Sequence, residues 1–124
     1  MVTAGPMKKT PHATIQAGWL DQGAFASLVD YDSYWQPAAM HEPDKFCTDD
    51  KTQFQNTRQG GYFPDIPAVH ADLGELATGR KPGRTTPQER TMTANLGLAL
   101  NDMAVAPLIY KKAQEKGIGT WLDL

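Results

Sequence analysis

The order of elements along this chain predicts an α/β fold with a short, mostly parallel sheet and a long closing helix. Three observations carry the prediction. Apolar runs at Phe25–Asp30 and Lys45–Thr48 are bounded by glycine or acidic residues, as in strands buried on both faces. Segments with helix-start and helix-stop residues lie between them, and such alternation favours parallel pairing. From Leu98 to Lys116 the spacing becomes helical, with Met103, Ala106, Tyr110 and Ala113 on one stripe.

Taken in order, Met1 to Ala4 reads as the end of a buried strand stopped by Gly5-Pro6. Ile15 to Leu20 reads as one or two helical turns, ended by Asp21-Gln22-Gly23. Phe25–Asp30 is the next strand. Pro37 suits the first turn of a short helix, where its missing N–H costs little. Lys45–Thr48 is a strand closed by Asp49-Asp50, and either aspartate can cap a helix running through Arg58 to Gly60-Gly61. Tyr62 to Pro67 is loop, and Ala71 to Thr78 is a short helix ended by Gly79. Arg90 to Ala94 is threonine-rich and favours a strand, in competition with a helix start at Thr86-Pro87 with Glu89. Pro107 predicts a kink or a late start for the last helix, Lys111, Lys112 and Lys116 complement its dipole, and Gly117 ends it.

Composition limits the function classes. The chain has 124 residues, 40% hydrophobic and 21% charged, which suits one small globular domain. A net charge of −2 with scattered basic residues gives no nucleic-acid footprint. No apolar run approaches the roughly 20 residues that span a bilayer, so no membrane partner is expected. The single cysteine, Cys47, leaves no internal disulfide framework and fits a reducing cytoplasm. His12, His41 and His70 are too widely spread for a metal motif, so no metal site is expected.

Asp32 is the leading candidate for chemistry. It falls just past the Phe25–Asp30 strand, and ligands of open α/β sheets bind outside the carboxyl ends of the strands. The competing reading makes Asp30 and Asp32 loop carboxylates that cap the next helix. Tyr31, Tyr34 and Trp35 line a pocket on one reading and belong to core or interface on the other. Arg84, in the loop from Arg80 to Pro87, reads as an anchor making charge-assisted hydrogen bonds, with phosphate binding by Arg80, Lys81 and Arg84 as the alternative.

The last third of the chain carries a resemblance. It runs Ala71-Asp72-Leu73-Gly74-Glu75-Leu76, then Gly79-Arg80-Lys81-Pro82-Gly83-Arg84, then Leu96-Gly97-Leu98-Ala99-Leu100-Asn101-Asp102 and a long helix. In that order these segments resemble the C-terminal part of the ornithine cyclodeaminase / mu-crystallin family. The resemblance implies a partial Rossmann-like domain: a second mononucleotide-binding half over 1–97, and a closing helix and tail over 98–124, in one domain. It implies NAD or NADP as the cofactor of full-length members, and a small amino acid or imine as substrate. For this chain alone the cofactor reading ranges from weak binding to none.

By resemblance Asp32 is the acid–base residue, in an unusually bulky setting for the family. Thr3, Ala4 and Gly5 would run past the nicotinamide ribose, and Asn95, Gly97 and Leu98 would approach the nicotinamide. Ordinary strand–loop turns and tight helix packing are the competing readings of these segments. No G-x-G-x-x-G or G-x-G-x-x-A occurs, so the phosphate anchor of such folds is missing. The expectation is therefore a fragment or truncated member, inactive alone, or else a non-catalytic oligomeric assembly module. An edge strand and an unpartnered helix stripe predict a homo-oligomer, or a complementing N-terminal chain.

Overall fold

A computed structural model describes residues 1–123. Five strands form one fully parallel sheet: β1 (Val2–Thr3), β2 (Phe25–Leu28), β3 (Lys45–Thr48), β4 (Val69–Asp72) and β5 (Thr91–Ala94). Their spatial order is β1-β2-β5-β3-β4. The last strand in sequence is thus the middle of the sheet, pairing with β2 on one side and β3 on the other. Four helices complete the described residues: α1 (Pro37–Met40), α2 (Lys51–Gln59), α3 (Leu73–Ala77) and α4 (Ala99–Lys116).

Alternation along the strands divides the sheet into two unlike faces. Ala26, Leu28, Phe46, Met92 and Ala94 are buried against Trp35, Met40, Phe54 and Phe63, which form the core. Phe63 packs on Phe54 at 4.7 Å and on Tyr31 at 5.2 Å between ring centroids. The other face carries Phe25, Cys47 and Thr93, covered by α3 and the loop before β5. Phe25 remains 49% exposed there. A cavity of about 170 Å³ opens on this face between Phe25, Lys45, Cys47, Leu73, Leu76 and Thr93. Cys47 itself is buried, and burial pushes its thiol pKa up.

Local chemistry accounts for most element ends. Asp50 caps α2 by accepting from Gln53 N at 2.6 Å. Asp72 and Glu75 form a reciprocal capping box on α3. Pro37 occupies the first turn of α1, and Gly117 ends α4 in the left-handed conformation with φ +62°. Arg84 anchors its loop by donating to the carbonyls of Gly23 and Ala24 and to the Thr91 hydroxyl. These bonds bear out the anchoring role and engage the guanidinium that a phosphate would need.

Four expectations are corrected. Ile15 to Leu20 is not helical: Ile15 bridges Trp35 in parallel, with its N–H on Tyr34 O and its carbonyl on Gln36 N. Those bonds use the groups a helix would need. Ala71 and Asp72 end β4 rather than starting a helix, because Val69–Asp72 pairs with β3. The N-terminal strand is an exposed edge two residues long, not a buried one. The last helix does not start late: it begins at Ala99, well before Pro107, and continues past it. All of α4 is exposed except half-buried Ala113, and its apolar stripe faces solvent.

The loop before β5 is pinned by an ion pair. Glu89 accepts from Lys45 Nζ at 2.9 Å and from the Thr85 amide and hydroxyl at 2.7 and 2.5 Å. These donors hold its carboxyl at a pKa of about 2, below the usual 4.5. A depressed folded-state pKa contributes stability above 4.5 that is lost as pH falls towards 2. Glu89→Gln should therefore lower the melting temperature at neutral pH. The deficit against the parent should shrink as the pH falls, which circular dichroism melts across pH 2 to 7 will read.

Candidate active site

Because every strand is parallel, all five carboxyl ends lie on one edge of the sheet. The loops leaving that edge hold Thr3–Gly5, Asp30–Asp32, Asp49–Asp50 and Asn95–Leu98. The topology thus brings Asp32 and the Thr3–Gly5 and Asn95–Leu98 segments to the same edge, while Arg84 lies at the opposite one, beside the amino ends of β2 and β5.

Three aspartates there have three different environments. Asp30 is buried, and its carboxylate accepts from the Thr3 hydroxyl at 2.6 Å and from Gly5 N at 3.0 Å. The same Thr3 oxygen accepts from the Trp35 indole at 3.3 Å. The loops after β1 and β2 are thereby tied together, reinforced by Lys8 N donating to Ser33 Oγ at 2.8 Å. A Cβ on Gly5 would meet the outer end of the Tyr34 ring at 2.4 Å, so a larger residue here would displace that ring.

Asp49 is likewise buried. Its Oδ2 accepts from Leu96 N at 2.8 Å and Gly97 N at 2.7 Å, and its Oδ1 accepts from Asp50 N at 3.1 Å. The loop after β5 is tied further through Asn95. Its Nδ2 donates to Ser27 Oγ at 2.8 Å, and its backbone N–H to Leu28 O at 2.8 Å. Gly97 adopts φ +89° with nothing within 4 Å of where a Cβ would stand.

Asp32 differs from both. It is 4% exposed, and its Oδ1 is buried without a hydrogen-bond partner. Burial raises its pKa above the ordinary 3.8, opposed by the nearby backbone N–H groups of Asp32 itself and Phe63. Tyr31, between the two carboxylates, takes the left-handed conformation at φ +62°. Its ring meets Tyr62 edge-on at 5.1 Å and lies against Phe63. Burial, followed by Tyr62 and Asp49, raises the Tyr31 phenol pKa.

The sequence candidates therefore separate. Asp32 has the unsatisfied oxygen that chemistry needs. Thr3 and Gly5 already have their hydroxyl and amide engaged by Asp30, while Ala4 is exposed. Gly97 is open on its outer side, and Leu98 precedes α4 in extended conformation. Trp35 is core, Tyr34 covers Gly5, and Tyr31 belongs to an aromatic cluster with Tyr62 and Phe63. Sequence reasoning missed Asp30 and Asp49 as the groups that hold the edge loops. The available signal was an aspartate directly after a buried strand, with a second aspartate free to cap. Among the described residues no group of His, Cys, Asp or Glu is arranged to hold a metal, and no helix is long and apolar enough to cross a membrane.

A parallel sheet with loops gathered at its carboxyl edge defines a Rossmann-like α/β domain. The chain belongs to the ornithine cyclodeaminase/mu-crystallin family, whose model matches residues 1–117. It is similar to N-((2S)-2-amino-2-carboxyethyl)-L-glutamate dehydrogenase of Staphylococcus aureus, with 33% identity over 93% of this chain and 36% of the relative. It is 28% identical to alanine dehydrogenase of Archaeoglobus fulgidus, over 97% of this chain and 39% of that one. Among solved structures, Thermococcus litoralis Delta(1)-pyrroline-2-carboxylate reductase in complex with NADH and L-proline superposes with a TM-score of 0.66 at 26% identity. That match covers 92% of this chain and 38% of the reductase. The chain thus spans well under half the length of the relatives it matches.

The environment of Asp32 sets a pH dependence. Its folded-state pKa is raised, so its protonated form is favoured by folding. Stability from this group is full below the unfolded value of 3.8 and is lost as pH rises through the folded value. Asp32→Asn should melt like the parent in acid and above it towards neutral pH. Melting curves with the same offset at every pH would contradict the buried-carboxyl account.

Proposed function

We propose that this chain supplies the substrate-side edge of an NAD(P)-dependent enzyme acting on a small amino acid or its imine, and that it is inactive alone. The single observation that carries the proposal is the buried, unpartnered Oδ1 of Asp32 at the carboxyl edge of the sheet. An unsatisfied buried carboxyl is costly unless something pairs with it. An amine or imine nitrogen is a suitable partner.

In this reading Asp32 holds a proton at its carboxyl. It hands that proton to the nitrogen, or orients water at the imine carbon. Its raised pKa keeps the carboxyl protonated further towards neutral pH than a surface aspartate. A bound nicotinamide supplies the hydride chemistry. The open outer side of Gly97, with Asn95 and Leu98 beside it, fits close approach by that ring, and the exposed Ala4 backbone fits its ribose. The glycine-rich turn that would hold the diphosphate is absent from this sequence, so the residues present fit only the nicotinamide end.

Two measurements test this. Titrating the chain with NADH or NADPH while following Trp19, Trp35 and Trp121 fluorescence should show no micromolar binding, because the phosphate anchor is missing. Once complemented by an N-terminal chain carrying a glycine-rich nucleotide turn, turnover should appear. Asp32→Asn in that complex should cut it at least roughly a hundredfold, the usual scale of a lost acid–base group. Unchanged turnover would remove Asp32 from the chemistry.

The second reading is an oligomeric assembly module without chemistry. It is favoured by α4, where Leu100, Met103, Leu108 and Ile109 are all more than half exposed. Eight uncharged residues in a row, 103–110, make this part of the helix apolar all round, the pattern of a helix buried in a larger body. Self-association through α4 is expected under either reading. Light scattering at micromolar concentration should give a mass above that of one chain, and Leu108→Glu should reduce it. A monodisperse monomer from the parent chain would refute self-association.

A further inference from the structure

Asp49 makes bonds that no helix cap requires. Asp50 already caps α2, while the Asp49 carboxylate reaches across the sheet edge to two consecutive amides, those of Leu96 and Gly97. Its other oxygen is held by Asp50 N and, at 3.3 Å, by the Thr48 hydroxyl. Thr48 Oγ1 also lies 3.0 Å from Ala94 O, and Gln53 Nε2 donates to Gly97 O at 3.2 Å. The end of β3 and the start of α2 therefore grip the loop after β5 on its inner side. Its outer side stays open at Gly97. A glycine at φ +89° has wide conformational freedom, so the crest of this loop is defined by what holds it rather than by its own side chains.

We propose that Asp49 is a positioning residue for the nicotinamide end of the site, its carboxylate setting the height and tilt of Leu96–Gly97 over the carboxyl end of β5. This rests on the nicotinamide reading of Asn95–Leu98. Without the carboxylate, both amides would turn to water and the crest would lose its single geometry. Asp49 touches neither substrate nor cofactor in this role; it acts through the loop.

The test uses the isotope-labelled chain, nicotinamide mononucleotide as the probe, and amide NMR. Parent amide shifts should concentrate at Asn95–Leu98. Asp49→Asn should raise the Kd at least roughly tenfold, the equivalent of one charge-assisted hydrogen bond. It should also speed hydrogen exchange at Leu96 and Gly97. Asp49→Glu keeps the charge but lengthens the arm; it should recover thermal stability without recovering affinity. Asp50→Ala should lower stability by loss of its cap and leave affinity unchanged. Parent-like affinity in both Asp49 variants, or affinity that follows melting temperature across all three variants, would overturn the proposal. No shift at Asn95–Leu98 in the parent would refute the nicotinamide reading and the positioning role with it. That outcome stands apart because exchange at Leu96 and Gly97 would still accelerate in Asp49→Asn.

Discussion

Burying a carboxylate without a counter-ion is tolerable only when several N–H or O–H groups converge on it. That constraint organises the carboxyl edge of this sheet. Asp30 gathers a hydroxyl and an amide from the β1 loop, and Asp49 gathers two amides from the β5 loop. Both bind segments far away in sequence, so each closes the sheet edge as well as satisfying itself. Asp32, two residues past Asp30 on the loop after β2, is left with an Oδ1 that no donor meets. Two hydrogen-bonded carboxylates thus share the edge with one unsatisfied one, and a contrast of environment among like groups is what separates structural from chemical roles.

The backbone contributes to that contrast. Tyr31 and Phe63 both occupy the left-handed region, at φ +62° and +54°, and their rings lie together. Such conformations cost roughly 1–3 kcal/mol in residues other than glycine. Aromatic packing on Phe54 and Tyr62 offsets the cost. With Tyr31 turned this way, its ring joins Tyr62 and Phe63 while the neighbouring Asp30 carboxylate meets Thr3 and Gly5.

Much of the fold was legible because its signals are local. The apolar run of β3 and the caps and glycines around α2 and α4 coincide with the observed elements to within a residue or two. β4 was not legible: its four residues end in Asp72, which serves both as the end of a strand and as the cap of α3. Ile15 misled for the same reason, since its bridge partner Trp35 lies 20 positions on. The candidate site divides in the same way. Asp32 could be placed by counting from its strand. The roles of Asp30 and Asp49 depend on partners 25 to 48 residues away, which no local pattern encodes.

The position of β5 bears on how the chain comes together. During synthesis β1 can join β2, and β3 can join β4, yet these two ribbons have no contact through strand pairing until Thr91–Ala94 arrives between them. Until then each ribbon presents an unsatisfied inner edge, the kind of surface that recruits other chains. Between the emergence of Asp72 and that of Thr91, a nascent molecule therefore holds two half-sheets awaiting their keystone. Protection from aggregation in that interval must come from the ribosome, a chaperone or speed.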